Sequence, residues 1–268
     1  MELLKAIVLG VVQGFTEFLP ISSSGHLVIG SQLLNFQQQG VLFDVFLHLG
    51  TLVSVCLVFR KELIAMVAAP LAMMRGKADN ESRMYFMWDI YVVVATIPAV
   101  IAGLFLKDKV EHLFSNLTLV YSMLVITGII MIFSRYLKEG ERKLNWPRSL
   151  VVGCAQACAI MPGLSRSGST IFVGMALGMN REVVAKFSFI MSIPAILGAA
   201  VLQFGGLFDQ VPSVDSLINI GAGTVMSAVA GYFAIVFLLD IVRRNRLQYF
   251  GYYCLLVAFA GFGHQLLG

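Results

Sequence analysis

Gln13-Gly-Phe-Thr-Glu-Phe-Leu-Pro-Ile-Ser-Ser-Ser-Gly-His26 interrupts an apolar run with one carboxylate, three consecutive hydroxyls and one imidazole. A second stretch, Gln156 to Ser169, repeats its plan: Gln, a short apolar run, Pro, then a Ser-rich turn and Gly. Gln13 and Gly25 have the same separation as Gln156 and Gly168, so Ser22, Ser23 and Ser24 fall opposite Ser165, Arg166 and Ser167. Pro20 and Pro162 differ by one place, which makes the copies related rather than identical. One copy offers an acid, hydroxyls and a histidine; the other offers hydroxyls and a guanidinium. That division predicts one site assembled from two half-sites.

The rest of the chain is greasy. Of 268 residues, 58% are hydrophobic and 13% charged, with a mean hydropathy of +0.85. Soluble domains carry roughly a quarter of their residues as charges. This chain has too little polar surface for that class, and its long apolar runs indicate an integral membrane protein. Backbone in lipid must satisfy its own hydrogen bonds, so helices are the default. A barrel would need segments of about ten residues with alternating polarity, which the continuous runs of Ala, Leu, Met and Gly do not provide. The N-terminus is a poor cleavable signal, because Lys5 is its one basic residue and the polar motif begins where the apolar core should continue. Cys56, Cys154, Cys158 and Cys254 are scattered in apolar surroundings and suggest no disulfide framework, and Cys154 and Cys158, which could share a helix face, are expected to be buried thiols rather than metal ligands. The net charge of +4 lies in loops and is read as topology information, not as a nucleic-acid surface.

The expected fold is an all-α integral membrane protein: six transmembrane helices plus two broken re-entrant helical hairpins in an inverted-topology repeat. The first repeat covers 1–134, with a hairpin over 3–34 and spans at about 41–59, 86–106 and 117–133. A cytoplasmic linker follows at 135–148. The second repeat covers 149–268, with a hairpin over 150–179 and spans at about 183–204, 217–239 and 249–267, all within one integrated membrane domain. Between the first two spans, Glu62 to Met74 reads as an apolar run too short to cross and broken by Pro70. Pro98 predicts a bend, and Asp89 sits near enough to a span end to reach water. Asp44 and His48, four apart, are placed to share a face.

A re-entrant hairpin returns to its own side and three spans exchange sides, so the second repeat must start inverted. That arrangement puts 15 of the 19 basic residues on one side, including Arg60, Lys61, Arg135, Arg181, Lys186 and Arg243. Lys5, Lys107 and Lys109 fall on the other, where the loop carrying Asp209 and Asp215 has no Lys or Arg. The positive-inside rule then makes the basic side cytoplasmic. Both termini are expected outside, with the hairpins entering from opposite faces and their polar tips meeting within the membrane.

Ionisable groups at membrane depth are costly and face an interior or a cavity. Arg166, flanked by Ser165 and Ser167, suits an oxyanion, because a guanidinium fork matches phosphate bidentately. A helix starting after each Ser-Gly turn would add free amides and a positive dipole end. The combined chemistry is phosphoryl transfer next to lipid. Ser23 is placed to attack phosphorus with His26 taking its proton, and the two roles are exchangeable because histidine is itself a nucleophile. Glu17 would orient His26 or bind a divalent cation, Mg or Ca, with Gln13 one turn earlier on the same face. Ser22, Ser24, Ser165, Ser167 and Thr170 are candidate phosphate ligands; capping and packing are their plainer reading. A structural Glu17–Arg166 pair is the plain reading of those two. Inverted repeats with broken helices are also a transporter design, so a secondary transporter or flippase for an anionic lipid remains the alternative.

Gln13 to Glu17, Pro20-Ile-Ser-Ser-Ser-Gly-His26 and Pro162-Gly-Leu-Ser-Arg-Ser-Gly-Ser-Thr170 together resemble the bacterial undecaprenyl-diphosphate phosphatases of the bacitracin-resistance, BacA-type family, over essentially the whole chain. The resemblance implies hydrolysis of undecaprenyl diphosphate to undecaprenyl phosphate and inorganic phosphate, recycling the lipid carrier of envelope polymers such as peptidoglycan. Bacitracin would compete indirectly, for the substrate. By the same resemblance Glu17, His26 and Arg166 match catalytic residues, Ser23 a proposed nucleophile, and the first motif implies a divalent cation. The site would open toward the periplasm of the bacterial cytoplasmic membrane, with a homodimer as a possible assembly. Gln13 departs from the family pattern, in which relatives present Glu, and that weakens a two-carboxylate metal site.

Overall fold

A computed structural model describes residues 1–36, 40–113, 116–204 and 213–267; the side chains at 40–41, 107–112, 203–204 and 267 fall outside that description. In order, the helices are α1 (Glu2–Phe18), α2 (Ser23–Leu33), α3 (Gly40–Val58), α4 (Arg60–Met74), α5 (Asn80–Leu113), α6 (Leu117–Phe133), α7 (Trp146–Cys158), α8 (Arg166–Ala176), α9 (Arg181–Phe204), α10 (Val214–Arg243) and α11 (Gln248–Leu267), with a 3₁₀ turn over Ser134–Tyr136. The side chains of Lys107 and Lys109, and the loop around Asp209, lie outside the described residues.

Among the described residues four helices are long and apolar enough to cross a membrane: Asn80–Leu106, Leu117–Tyr136, Arg181–Leu202 and Val214–Arg243. A fifth crossing is available if Leu42–Val58 and Arg60–Met74 count together, although they meet at an 80° bend. The chain is therefore an all-α multi-pass membrane protein. Several expectations are corrected in detail. The expected first span ends as α3 at Val58, and the chain turns sharply at Phe59 into α4, which is not broken at Pro70 but runs helically through it. Pro98 lies inside an unbroken α5 of 34 residues. The expected last span is helical as α11 but is not among the four apolar crossings. Cys154 and Cys158 are exposed rather than buried, as is Cys56, while Cys254 is buried. In a membrane protein an outward thiol meets lipid, so exposure carries no desolvation cost there.

Two pairs of short helices, α1 with α2 and α7 with α8, stand where the broken hairpins are expected. α1 has 17 residues, α2 11, α7 13 and α8 11. At 1.5 Å per residue the last three reach at most about 20 Å, short of a roughly 30 Å hydrocarbon layer. The two ends of each hairpin lie together. Lys5 Nζ donates to the Asn35 carbonyl across the first, and Arg142 pairs with Met179 across the mouth of the second. Side-chain caps start the helices: Ser22 for α2, Asn116 for α6, Asn145 for α7, Ser165 for α8 and Ser213 for α10.

Each hairpin leans on a long helix of the other half of the chain: α1 packs on α10, and α7 on α5. Small residues make this possible. A Cβ on Gly10 would sit 2.3 Å from the Gly223 carbonyl oxygen, and one on Gly153 2.2 Å from that of Ala95. Lipid gives no hydrophobic drive for helix association, so close backbone packing supplies the attraction. The ends of α4, α9 and α10 are joined at one end of the bundle. Lys186 pairs with Glu62 at 2.9 Å, Arg243 with Glu182 at 3.1 Å, and Arg181 donates to the Leu137 carbonyl at 2.9 Å. Between that end and the hairpin tips lies an aromatic core in which Phe189 touches both Phe18 and Phe59, with centroids at 5.6 and 5.8 Å.

Candidate active site

The first break begins where proline forbids more helix. Leu19 precedes Pro20 and is extended, at φ −63° and ψ 140°, because a residue before proline avoids the α region. The chain then reverses through Ser22 at φ 71°. A left-handed non-glycine residue costs on the order of 1–3 kcal/mol and persists where its surroundings over-determine it. Ser22 is fixed by its own cap, its Oγ accepting from Gly25 N at 3.3 Å. The second break turns at Gly163, φ 93°, where a Cβ would lie 2.3 Å from the Val120 carbonyl oxygen. Ser165 caps α8 by accepting from Gly168 N at 3.1 Å. The helices thus start at Ser23 and Arg166, ahead of the Ser-Gly turns rather than after them, and those turns form the first helical turn itself.

The two tips touch. Gly163 N donates to Ser24 Oγ at 3.4 Å, and Ser167 Oγ donates to the Leu19 carbonyl at 3.3 Å. Each break is also held by a helix of the opposite half. Thr127 of α6 donates to the Gly163 carbonyl and accepts from Ser165 N, both at 3.0 Å. Cys254 of α11 lies with Sγ 3.9 Å from the Pro20 carbonyl oxygen.

Glu17 is the hub. It is buried at 7% exposure. Its Oε1 pairs with Arg166 Nη2. Its Oε2 accepts from Gln13 Nε2 at 2.9 Å and from Ser23 Oγ at 2.7 Å, and His48 Nε2 stands 3.5 Å away. A buried carboxylate without partners would be prohibitive, and this one is met from α1, α2, α3 and α8. The other guanidinium nitrogen, Arg166 Nη1, is buried and has no hydrogen-bond partner among the described residues. One arm of the fork holds the acid, and the other is unused.

His26 is arranged differently from the sequence expectation. It is oriented not by Glu17 but by the Ser22 carbonyl, 2.8 Å from Nδ1, and its Nε2 meets the Tyr253 hydroxyl at 2.9 Å. The hydroxyl of Ser23 likewise points to Glu17 rather than to His26. In the helix, Ser22 O is the i−4 acceptor beneath His26, and that acceptor takes the ring nitrogen. The imidazole beside Glu17 is His48, whose Nδ1 donates to the Asp44 backbone carbonyl at 2.7 Å. The four-residue spacing of Asp44 and His48 signalled it. Tyr253 had no local signal, since it is 227 residues from its partner.

The remaining hydroxyls are largely engaged. Ser22 and Ser165 are caps, as above. Ser167 Oγ is buried against Ser165 Oγ at 3.3 Å as well as Leu19. Thr170 bonds to the Arg166 carbonyl at 2.9 Å and to Ser188 Oγ at 2.6 Å. Ser24 lies part-buried between Ser22 Oγ and Gly163 N. Gln156, the repeat's counterpart of Gln13, has both amide atoms buried without a partner among the described residues. Four residues on from Gln13 stands Glu17, whereas four on from Gln156 stands Ile160.

Among the described residues no three His, Cys, Asp or Glu side chains gather to hold a metal. Gln13 Oε1 is nevertheless buried and unpartnered beside the Glu17 carboxylate. One carboxylate and one free amide oxygen fit a hard divalent cation as two of its ligands, with phosphate oxygens and water completing a shell of six or more.

Comparison with known proteins gives a consistent result. The family model described as bacitracin resistance protein BacA matches residues 6–260. The undecaprenyl-diphosphatase of Syntrophotalea carbinolica is 42% identical, over 96% of this chain and 97% of its own. That of Methanobrevibacter smithii is 40% identical over 96% and 95%, and that of Desulforapulum autotrophicum 38% over 96% and 96%.

Proposed function

The chain belongs to the bacitracin resistance protein BacA family, and from that membership we infer that it hydrolyses undecaprenyl diphosphate to undecaprenyl phosphate and inorganic phosphate. It is a membrane-embedded phosphatase. The observation that carries the site assignment is Arg166, one guanidinium nitrogen on Glu17 and the other buried and unpaired. An unpaired buried donor costs about 1–3 kcal/mol, more when charged; an incoming phosphate oxygen would relieve it.

In the proposed sequence, the diphosphate draws Arg166 toward its terminal phosphate and loosens the guanidinium's hold on Glu17. The freed carboxylate takes the proton of Ser23, already 2.7 Å away. Ser23 Oγ attacks the terminal phosphorus, the bond to the bridging oxygen breaks, and the lipid monophosphate leaves. Water then attacks the phosphoserine, giving its proton to His26 Nε2; the bond from phosphorus to Ser23 Oγ breaks, Glu17 returns the first proton to Ser23, and His26 passes its proton to solvent as inorganic phosphate leaves. Arg166 and the amides opening α2 and α8 face the charge that develops on phosphorus oxygens. Glu17 and Gln13 would hold the divalent cation, which when bound neutralises phosphate charge. His48 adds a fourth neighbour to Glu17, beside Arg166, Gln13 and Ser23, and helps to keep its carboxylate turned toward Ser23.

The reciprocal packing of α1 on α10 and α7 on α5 supports the inverted repeat, with 1–134 and 149–268 as its halves. The joining of Glu62, Leu137, Glu182 and Arg243 segments at one end supports a cytoplasmic basic face, external termini and a site open to the other side. Phosphate release from undecaprenyl diphosphate by purified protein, with and without chelation, tests the activity. Flux of intact lipid without release would favour the carrier reading, and no release with Mg or Ca supplied would refute hydrolysis.

A further inference from the structure

Tyr253 comes to the site from α11, and two independent contacts fix how it meets His26. The first is a hydrogen-bond chain with a determined direction. His26 Nδ1 lies 2.8 Å from the Ser22 carbonyl oxygen, which can only accept, so Nδ1 carries the hydrogen. In the neutral ring Nε2 then bears the lone pair, and the Tyr253 hydroxyl 2.9 Å away donates to it. The second contact is the stack. The two rings are 13° from parallel with centroids 5.5 Å apart, within the range of offset aromatic pairs. The place of Tyr253 is itself secured by its neighbour, the fully buried Cys254, against the Pro20 carbonyl. Ser23 and His26 are three apart at the start of α2 and therefore share a helix face. What orients the imidazole also orients it relative to the serine.

We propose that Tyr253 is a positioning residue for hydrolysis, holding the His26 ring by its stack and hydroxyl so that Nε2 keeps its lone pair on the Ser23 face. This rests on the phosphatase reading. A phenol suits both states of the cycle. It donates to Nε2 while His26 is neutral and gives way to the attacking water. Once Nε2 has taken the water's proton, the same oxygen accepts from Nε2–H, its own hydrogen turning outward. Tyr253 is 43% exposed, which leaves room for that rotation. No proton is gained or lost by the tyrosine over a turnover.

The test compares Tyr253→Phe, which keeps the ring, with Tyr253→Leu, which removes it, and with Tyr252→Phe, whose exposed ring packs on Tyr249 instead. Purified proteins are assayed for phosphate release, and the histidines, four in the chain, are ¹⁵N-labelled, with His26→Asn assigning the resonance. Expected for Tyr253→Phe is a fall in kcat of about tenfold with KM within about twofold and an unchanged thermal midpoint. Tyr253→Leu should fall further, Tyr252→Phe should match the parent, and the His26 Nε2 resonance should shift when its donor is lost. A kcat for Tyr253→Phe within about twofold of the parent overturns the proposal. So does an Nε2 resonance that does not move, or a loss shared by Tyr252→Phe. Failure of the parent protein to release phosphate would refute the hydrolytic reading instead, and the resonance would still report whether Tyr253 holds His26.

Discussion

Replacing Arg166 with lysine separates charge from geometry. The arginine fork holds Glu17 through Nη2 and leaves Nη1 buried and unused. Lysine keeps the positive charge but has no planar fork, so its single nitrogen cannot sit at both the Nη2 position on Glu17 and the Nη1 position facing the phosphate. In the resting protein it should stay with Glu17, so the fold should hold and the thermal midpoint in detergent should change by no more than about 2–4 °C. With substrate bound, one charge-assisted hydrogen bond is missing. Such bonds contribute about 1.5–3 kcal/mol, and about 1.4 kcal/mol is a factor of ten in rate. Phosphate release should therefore fall roughly 10- to 150-fold in kcat/KM, and mostly in kcat if the bond tightens in the transition state. Initial-rate measurements on undecaprenyl diphosphate, across a substrate series, read this directly. A lysine variant within about threefold of the parent would refute the two-armed role of Arg166, and a large drop in thermal midpoint would recast the Glu17 pair as structural.

Ser23→Ala should lower kcat by at least about 100-fold if the serine attacks phosphorus; an active alanine variant would transfer the nucleophile's role to His26. Ser22→Ala should cost about 1 kcal/mol of stability through its lost cap while lowering kcat less than about tenfold, as read by thermal melting beside turnover. Gln13→Glu puts a second carboxylate beside Glu17 and should lower the half-activating concentration of Mg or Ca by roughly tenfold in titrations after chelation; an unchanged titration would remove Gln13 from the cation site. Gly10→Ala forces a Cβ to 2.3 Å from the Gly223 carbonyl oxygen and should destabilise the bundle by about 1–3 kcal/mol. Gly221→Ala, on α10 with nothing within 4 Å of its Cβ, should be neutral or slightly stabilising.

The membrane class, the helical build, the helix breaks at Pro20 and Pro162 and the meeting of Glu17 with Arg166 were all legible in the chain by itself. The reason is local: apolar run length sets what lipid accepts, proline ends a helix where it stands, and an ionisable group inside such a run requires a partner. Boundaries were less legible. The fold at Phe59 is an 80° turn between two good helices, and no residue there announces it, since neither Gly nor Pro marks the corner and Phe59 is buried against Phe189 from a distant helix. The partners of His26 were not legible at all. A helical i−4 carbonyl and a tyrosine 227 residues away take its two nitrogens, while Glu17, nearer in sequence, is bound by Ser23, Gln13, Arg166 and His48. Sequence determined which chemical groups the lipid environment would force together. Only tertiary packing decided which nitrogen meets which oxygen, since a hydrogen bond depends on ångström-scale approach between helices that spacing along the chain does not encode.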